Sequence, residues 1–209
     1  NQLFKNPEAE TAKNYLKKRG LTIEEVKKFK IGFVGNDPLF YDELKKEFEE
    51  KKLADSGLFY FDERKKKYVE RFRNRIIFPI NNISGNPIGI GGRILEENKS
   101  LAKYINSPET EFYKKGNVVY NLDKAKNERI NTNEVIIVEG YMDVVSLSKA
   151  GVKNVISNSG TALTEIQINL VWRFFSNPII CLDGDESGKK AAFRIAERLF
   201  PLLNDKNKI

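Results

Sequence analysis

The spacing of hydrophobic residues divides the chain into two differently organised parts. In residues 7–52, the segments PEAETAKNYLKKR, TIEEVKKF and DPLFYDELKKEFEEKK each predict a helix. Thr22 stands three residues before Glu25, which is the spacing of a capping box at the start of the second helix. From Tyr68 the period changes to two, and YVERFRNRIIFPI, the turn NNISGNP and IGIGGRIL together predict a β-hairpin.

The second part begins near residue 117 and alternates strands with helices. The predicted strands are EVIIVEG, NVISNSG and IICLDGD, and the helices that follow them are YMDVVSLSKAG, LTEIQINLVWRFF and SGKKAAFRIAERLFPLL. This alternation implies right-handed crossovers and a mainly parallel sheet flanked by helices. The expected fold class is therefore α/β: a mixed α+β subdomain in residues 1–116, followed by an α/β domain in residues 117–209.

Acidic residues follow two of these strands at their carboxyl ends. Glu139, with Asp143 four residues later, follows EVIIV, and Asp183 and Asp185 follow IICL. In open α/β sheets, ligands bind beyond the carboxyl ends of the strands. If the two strands are neighbours, the carboxylates converge, and a cation between them would relieve their repulsion. Oxygen ligands favour Mg²⁺ or Mn²⁺ over zinc or copper.

Three other motifs offer competing interpretations. DGDESG resembles an EF-hand loop, but Arg194 stands where that loop requires Glu and a strand precedes it, so an EF-hand is excluded. IGIGGR lacks the complete G-x-G-x-x-G pattern and lies in a hairpin, which argues against a dinucleotide-binding turn. NSGTALT lacks the P-loop lysine; Gly160 and Thr161 are interpreted as a turn and helix start, with phosphate contact as the alternative.

Composition excludes several kinds of chemistry. The 209 residues include no His and one Cys. A Ser-His-Asp triad, a Cys-His pair and zinc sites built from His or four thiolates are therefore excluded, and no zinc is expected. No apolar run is long enough to span a bilayer, and the N-terminus lacks the features of a signal peptide. We expect a cytoplasmic protein without a membrane partner, whose chemistry depends on carboxylates, lysines and arginines.

The net charge of +7 is concentrated in one region. Residues 64–126 contain 14 Lys and Arg against 6 Asp and Glu. A local cationic surplus of this kind suits the phosphate backbone of a nucleic acid. A solvated lysine-rich surface is the alternative, and it is favoured for the lysine pairs in residues 17–52.

Six blocks of the sequence resemble the catalytic core of bacterial DnaG-type DNA primases. The Toprim domain of that family is similar to VEGYMDVVSLSKAG, NSGTALT and LDGDESG, in order and spacing. Its basic subdomain is similar to RFRNRIIFPI, GNPIGIGGR and KYINSPETEFYKKG. The resemblance extends from about residue 11 to residue 203. Toprim domains also occur in topoisomerases and recombination proteins, but those lack the basic blocks.

The resemblance implies a DNA-dependent RNA polymerase that synthesises short RNA primers for replication by metal-dependent nucleotidyl transfer. Metal ions would align the 3′-hydroxyl of one nucleotide with the α-phosphate of the next. By similarity to the family, Glu139 is the central acid, as a metal ligand or proton acceptor, while Asp183 and Asp185 hold Mg²⁺ or Mn²⁺. Asp143 lies one helical turn after Glu139 and either faces the same site as a metal ligand or caps the helix.

The same resemblance implies a surface for nucleic acid and nucleotides. The residues expected on it are Arg71, Arg73, Arg75, Arg93, Lys103, Tyr104, Asn106 and Lys115. Alternation places the first three arginines on one face of a predicted strand, and packing is the alternative role of Tyr104. The implied partners are a single-stranded DNA template, ribonucleoside triphosphates and an RNA–DNA hybrid, at the replication fork on the nucleoid.

The sequence departs from the family pattern in three respects. The zinc-binding N-terminal domain is missing, which is expected to impair template-site selection. The chain ends at Ile209, before the fourth strand with its further acidic pair and before the tail that docks on the replicative helicase, so we expect an incomplete metal site. Lys114 stands where the family often has His. Two other functions remain open: a Toprim nuclease or topoisomerase-type subunit, and a non-catalytic nucleic-acid-binding fragment.

Overall fold

The computed structural model describes residues 2–36, 40–95, 101–160 and 162–209. It forms two units, each built around its own hydrophobic core. The first unit contains Asn1–Ile80 and Pro87–Lys114, and the second contains Asn81–Asn86 and Lys115–Ile209. Among the described residues, no helix is long and apolar enough to cross a membrane.

Short helices form the N-terminal part of the first unit. They are α1 (Gln2–Lys5), α2 (Glu10–Lys18), α3 (Ile23–Lys28), α4 (Phe40–Leu44) and α5 (Glu50–Asp55). The predicted capping box of α3 is confirmed: Glu25 N–H donates to Thr22 Oγ1 at 3.3 Å, and Thr22 N–H donates to Glu25 Oε2 at 2.7 Å. This reciprocal pair satisfies two of the backbone donors that a helix start leaves open.

The prediction of one long third helix is wrong. Its segment contains α4 and α5, separated by a turn, while its first residues, 37–39, lie outside the described part of the chain. Glu49 has an extended backbone with φ −61° and ψ 142°, and it stands at the N-cap position of α5. Because an extended residue cannot continue an α-helix, the amphipathic pattern is divided between two short helices.

The first unit contains a four-stranded sheet and a separate two-stranded ribbon. The sheet strands are β1 (Gly32–Val34), β4 (Arg75–Asn81), β5 (Pro87–Ile94) and β6 (Tyr104–Asn106), and they lie in the order β1-β4-β5-β6. The ribbon pairs β2 (Phe59–Asp62) with β3 (Lys67–Glu70) in antiparallel orientation. The predicted hairpin of β4 and β5 is confirmed, because these strands are neighbours.

The predicted strand from Tyr68 through Arg75 is interrupted, which corrects the expected position of three arginines. Strand β3 ends at Glu70, residues 71–74 form a turn, and β4 begins at Arg75. Asn74 adopts a left-handed conformation with φ 53°, which breaks the alternation. Arg71 and Arg73 therefore lie in a turn and do not share a strand face with Arg75.

Arg75 is buried, with 5% of its surface exposed. Its Nη1 donates to the main-chain carbonyls of Gly92, Ala102 and Lys103 at 3.4, 3.1 and 3.3 Å. Burial lowers the pKa of this guanidinium. Because the side chain holds β5 and the segment before β6, we interpret Arg75 as a structural residue and not as the phosphate ligand that the sequence predicted.

The second unit confirms the predicted strand and helix rhythm. After the short helix α6 (Leu122–Ala125), its elements are β7 (Glu134–Val138), α7 (Tyr141–Lys149), β8 (Val155–Ser157), α8 (Glu165–Trp172), β9 (Asn177–Ile180) and α9 (Glu186–Leu199). The sheet order is β8-β7-β9, and both pairings are parallel. The central strand β7 is flanked by β8 and β9, so its buried residues, with Ile156, Ile168 and Leu199, form the core of this unit.

Replacing Arg75 by Met should lower the free energy of unfolding by about 1–3 kcal/mol, because three main-chain carbonyls lose the charged donor that a buried side chain provides. Urea unfolding of the purified chain measures this change. Arg64→Met, in the exposed turn between β2 and β3, is the matched control and should change stability by less than about 0.5 kcal/mol. Equal effects of the two substitutions would contradict the structural role of Arg75.

Candidate functional site

The second unit places Glu139 beside Asp183 at the carboxyl edge of its sheet. Strands β7 and β9 pair in a parallel register that sets Ile137 opposite Ile180, and Cys181 N–H extends this pairing to the Ile137 carbonyl at 2.9 Å. Two residues further along each strand, Asp183 N–H donates to Glu139 Oε1 at 3.0 Å. The prediction that these two strands are neighbours in the sheet is therefore confirmed, and the Glu139 carboxylate lies against the Asp183 backbone.

The backbone of Glu139 is held from the opposite side by the segment that follows β8. The fully buried Ser157 donates from Oγ to the Glu139 carbonyl at 2.8 Å, and Gly160 N–H donates to the same carbonyl at 3.2 Å. Ser157 Oγ also accepts a hydrogen bond from Ser159 N–H at 2.9 Å. Glu139 is thus fixed through both its main chain and its side chain, which limits the positions that its second carboxylate oxygen can take.

Gly188 allows the loop that carries Asp183 to approach helix α9. A Cβ at residue 188 would overlap the Asp183 carbonyl oxygen and lie 2.8 Å from the Asp183 carbonyl carbon. By contrast, a Cβ at Gly184 would meet nothing within 4 Å. The close approach at Gly188 therefore requires glycine because the Asp183 backbone occupies the space of a side chain.

Asp185 and Asp143 both cap helices. Asp185 Oδ1 accepts from Gly188 N–H at 2.8 Å at the start of α9, and Asp143 Oδ2 accepts from Gly140 N–H at 2.9 Å at the start of α7. The capping alternative for Asp143 is therefore present in the structure. A carboxylate has about four lone-pair sites on two oxygens, so a cap of this kind leaves further acceptor capacity.

Tyr141, the first residue of α7, packs against a buried tyrosine and so positions the helix that follows Glu139. Its ring lies edge-on to Tyr120, with ring centroids 4.7 Å apart and an interplanar angle of 88°. Burial raises the pKa of Tyr120 far above its ordinary value, so this side chain stays neutral at physiological pH. The contact is therefore apolar packing under the site and not a source of charge.

The acidic residues fit a hard divalent cation by donor type. Within the described residues, no three Asp, Glu, Cys or His side chains are arranged to hold one metal ion. Mg²⁺ commonly uses only one or two carboxylates and completes its shell with water and substrate phosphates. The exposed Asp183 and Asp185 and the half-buried Glu139 provide oxygen donors of this kind, and their roles as metal ligands remain predictions.

Three of the arginines predicted to bind nucleic acid differ in their contacts within the first unit. Arg71 donates from Nε to the Gly57 carbonyl at 3.2 Å, and its guanidinium carbon lies 5.5 Å from the centre of the Tyr60 ring. Arg73 is half-buried in the same turn. Arg93, on β5, donates from Nη1 to the Ile94 carbonyl at 2.8 Å. Arg71 and Arg93 are therefore oriented by contacts within the first unit.

The other predicted contacts lie around β6 and near residue 115. Lys103 is exposed directly before β6, Tyr104 pairs with Arg93 in the antiparallel register, and Asn106 pairs with Gly91. Lys115 belongs to the second unit, where its carbonyl accepts from Gln167 Nε2 at 3.2 Å. Partners in a register share one face of the sheet, so the structure brings Tyr104 and Arg93 to a common surface.

Helix α2 contributes two residues to this surface that the sequence did not indicate. The Arg93 guanidinium carbon lies 3.9 Å from the centre of the Tyr15 ring, and Arg19 Nε donates to Tyr15 Oη at 3.0 Å. We call Tyr15, Arg19 and Arg93 the arginine–tyrosine cluster. The spacing of Tyr15 and Arg19 by four residues indicates that they are neighbours on a helix, but no local pattern connects them with Arg93.

Comparisons with known proteins match both parts of the chain. A family model described as the N-terminal domain of the DNA primase catalytic core matches residues 1–126, and a Toprim domain model matches residues 133–209. The DNA primase of Escherichia coli strain K12 is 38% identical over 209 residues, covering 98% of this chain and 35% of that protein. The DNA primase of Pasteurella multocida is 41% identical over 199 residues, covering 93% of this chain and 33% of that protein. The chain therefore spans about a third of the length of these relatives.

Solved structures show the same relationship. A DNA primase domain from Pseudomonas aeruginosa superposes with a TM-score of 0.90 at 38% identity, covering 99% of this chain and 64% of that one. The DnaG primase catalytic domain bound to single-stranded DNA superposes with a TM-score of 0.87 at 36% identity, also covering 99% of this chain and 64% of that one.

Replacing Gly188 by Ala should displace the Asp183 backbone and lower the free energy of unfolding by about 1–3 kcal/mol, as overpacking does elsewhere. Urea unfolding measures the loss. Gly184→Ala provides a control in the same loop, because its Cβ would point into open space. A Gly188→Ala variant as stable as Gly184→Ala would show that Asp183 does not lie against α9 as described.

Proposed function

Since the chain belongs to the DNA primase catalytic-core family and contains that family's Toprim domain, we propose that it is the part of a DNA primase that synthesises short RNA primers on single-stranded DNA. The observation that carries this proposal is the meeting of Glu139 and Asp183 at the ends of two adjacent parallel strands. The reaction would be nucleotidyl transfer, with a ribonucleotide 3′-hydroxyl attacking the α-phosphate of a ribonucleoside triphosphate and pyrophosphate leaving.

Glu139 has the environment expected of the central acid. One of its carboxylate oxygens is held by Asp183 N–H, and its carbonyl is held by Ser157 and Gly160. This support leaves the second carboxylate oxygen available to bind a metal ion or accept a proton. A preorganised group of this kind acts without reorganisation at the moment of reaction.

Mg²⁺ or Mn²⁺ is the proposed cofactor, and an ion would bind through one or two of the carboxylates of Glu139, Asp183 and Asp185, with Asp143 as a further candidate. When bound, the ion would neutralise charge on the substrate phosphates. Because Asp185 caps α9 through one oxygen, we propose that it binds the ion through its remaining acceptor capacity.

The proposed template surface lies in the first unit. Its residues are Tyr15, Arg19, Arg71, Arg73, Arg93, Lys103, Tyr104 and Asn106. Guanidinium and ammonium groups bind phosphates without reading sequence, and the exposed Tyr104 offers a ring on which a base can stack. The similar primase domain that was solved with single-stranded DNA supports single-stranded DNA as the ligand, and Lys115 is proposed as a further phosphate contact from the second unit.

The proposed function defines the other partners. Ribonucleoside triphosphates are the substrates and an RNA–DNA hybrid is the product. In the complete protein, the replicative helicase is the proposed protein partner, and the cytoplasmic replication fork is the proposed place of action.

Glu139→Gln and Asp183→Asn should each reduce primer synthesis at least about 100-fold in the complete protein, because each removes a charge from the reacting centre without changing side-chain size. Extension of ribonucleotides on a single-stranded template with Mg²⁺ measures this activity. Glu165→Gln and Asp205→Asn, at exposed positions of the second unit, are isosteric controls and should keep full activity.

Primer synthesis that survives either of the first two substitutions would remove the assigned roles. Metal-dependent cleavage of plasmid DNA without primer synthesis by the unsubstituted protein would favour the nuclease alternative.

Lys103→Ala should weaken binding of single-stranded DNA and reduce the slope of log K against log salt by about 0.7, the value for one phosphate contact on a single strand. Fluorescence anisotropy at several salt concentrations measures both quantities. Lys46→Ala, at another exposed position, is the control and should leave the slope unchanged. An unchanged slope for Lys103→Ala would place the template elsewhere.

A further inference from the structure

A cavity of about 210 Å³ lies beside Glu139 in the second unit. Its wall includes a residue just beyond each strand: Glu139 after β7, Asn158 after β8 and Leu182 after β9. Arg194 and Arg198 line it from helix α9. The cavity therefore opens at the carboxyl edge of the sheet, where α/β folds bind their ligands.

The two arginines lie on the same face of α9 because they are four residues apart. Ile195 lies between them in sequence and is buried in the core of the unit, which anchors this part of the helix. Arg198 Nη1 donates to the Leu163 carbonyl at 3.0 Å. Arg198 is thus preorganised at the cavity, since one of its guanidinium nitrogens is already fixed.

Arg194 differs from Arg198 in having no partner of this kind. Its side chain is exposed, and among the described residues it forms no ion pair or side-chain hydrogen bond. Of the described residues that line the cavity, Glu139, Arg194 and Arg198 are ionisable. Two guanidinium groups against one carboxylate leave a net charge of plus one, which favours an anion on the arginine side.

The size of the cavity limits what it can hold. Pockets for drug-sized ligands measure roughly 300–1,000 Å³, so a cavity of about 210 Å³ accommodates only part of a nucleotide. Guanidinium groups bind phosphate oxygens through paired hydrogen bonds. A short polyphosphate group combines the required charge and size, whereas a neutral nucleobase brings no negative charge to the two arginines.

We propose that this cavity binds the phosphate oxygens of a diphosphate group, either the β- and γ-phosphates of the incoming ribonucleotide or the pyrophosphate that the reaction releases. Arg194 provides an exposed cation, and Arg198 provides one that is fixed by its bond to the Leu163 carbonyl. The assignment rests on the proposed function, because Glu139 places the cavity next to the reacting centre. Arg194 is therefore a binding residue for the diphosphate group that leaves as pyrophosphate. It is separate from the carboxylates proposed to bind the metal ion.

Arg194→Gln in the complete protein tests this assignment, with Lys190→Gln as the matched control. Lys190 is an exposed cation on the same helix and does not line the cavity. Loss of one charge-assisted hydrogen-bonding group should weaken diphosphate binding about tenfold or more. Arg194→Lys should recover part of the loss, because it restores the charge without the paired donors. Thermal denaturation establishes that the variants remain folded.

Three readouts separate the two sources of the diphosphate. A raised KM for ribonucleotides with unchanged inhibition by pyrophosphate assigns the cavity to the incoming substrate. Weaker inhibition by inorganic pyrophosphate with an unchanged KM assigns it to the leaving group, and a change in both assigns it to both. Calorimetric titration with inorganic pyrophosphate, in the presence of Mg²⁺, measures binding independently of turnover.

The same measurements distinguish failure of this assignment from failure of the proposed function. Normal primer synthesis, KM and pyrophosphate affinity in Arg194→Gln would overturn the cavity assignment and leave the primase proposal intact. If the unsubstituted protein makes no primers, the primase proposal fails. Calorimetric titration with pyrophosphate still tests whether the cavity binds a diphosphate group. In that case, the cavity assignment is overturned if the unsubstituted protein and Arg194→Gln bind pyrophosphate with equal affinity.

Discussion

The parallel pairing of β7 with β9 is the interaction on which the candidate site depends. Its register sets the ends of the two strands side by side, so that the Asp183 N–H reaches the Glu139 carboxylate. A shift of one residue along either strand would turn alternate side chains to the other face of the sheet. The buried apolar residues of β7 oppose such a shift, because it would remove Val135 and Ile137 from their packing in the core. The hydrophobic core therefore determines the position of a catalytic candidate at the edge of the sheet.

Main-chain groups hold this site more than side chains do. The Glu139 carbonyl and carboxylate, and the caps of Asp143 and Asp185, all accept from backbone N–H or hydroxyl donors. Backbone donors keep their charge state and position at every pH at which the protein is folded. Within the described part of the chain, Glu139, Asp183 and Asp185 form no ion pair with an arginine or lysine that would compete with a metal ion for their oxygens.

The sequence predicts the second unit well and the first unit only in part, for physical reasons. In residues 134–199 each buried strand is followed by a helix, so the local pattern and the global fold agree. Strands such as β1 and β6 have three residues each, too few for any periodicity to be visible. The turn at residues 71–74 depends on the left-handed conformation of Asn74, and the alternating sequence around it gives no sign of that break.

The sequence does not predict which of its arginines can bind a phosphate. Arg75, Arg93 and Arg194 carry the same charge, yet the first is buried among main-chain carbonyls, the second lies over the Tyr15 ring, and the third is an exposed group beside a cavity. Their roles differ because desolvation and fixed partners decide whether a guanidinium can still bind a phosphate. Arg75 directs Nη1 to three carbonyls within the fold, whereas Arg194 donates to no group among the described residues. Charge and spacing identify candidates for anion binding, and the contacts made in three dimensions select among them.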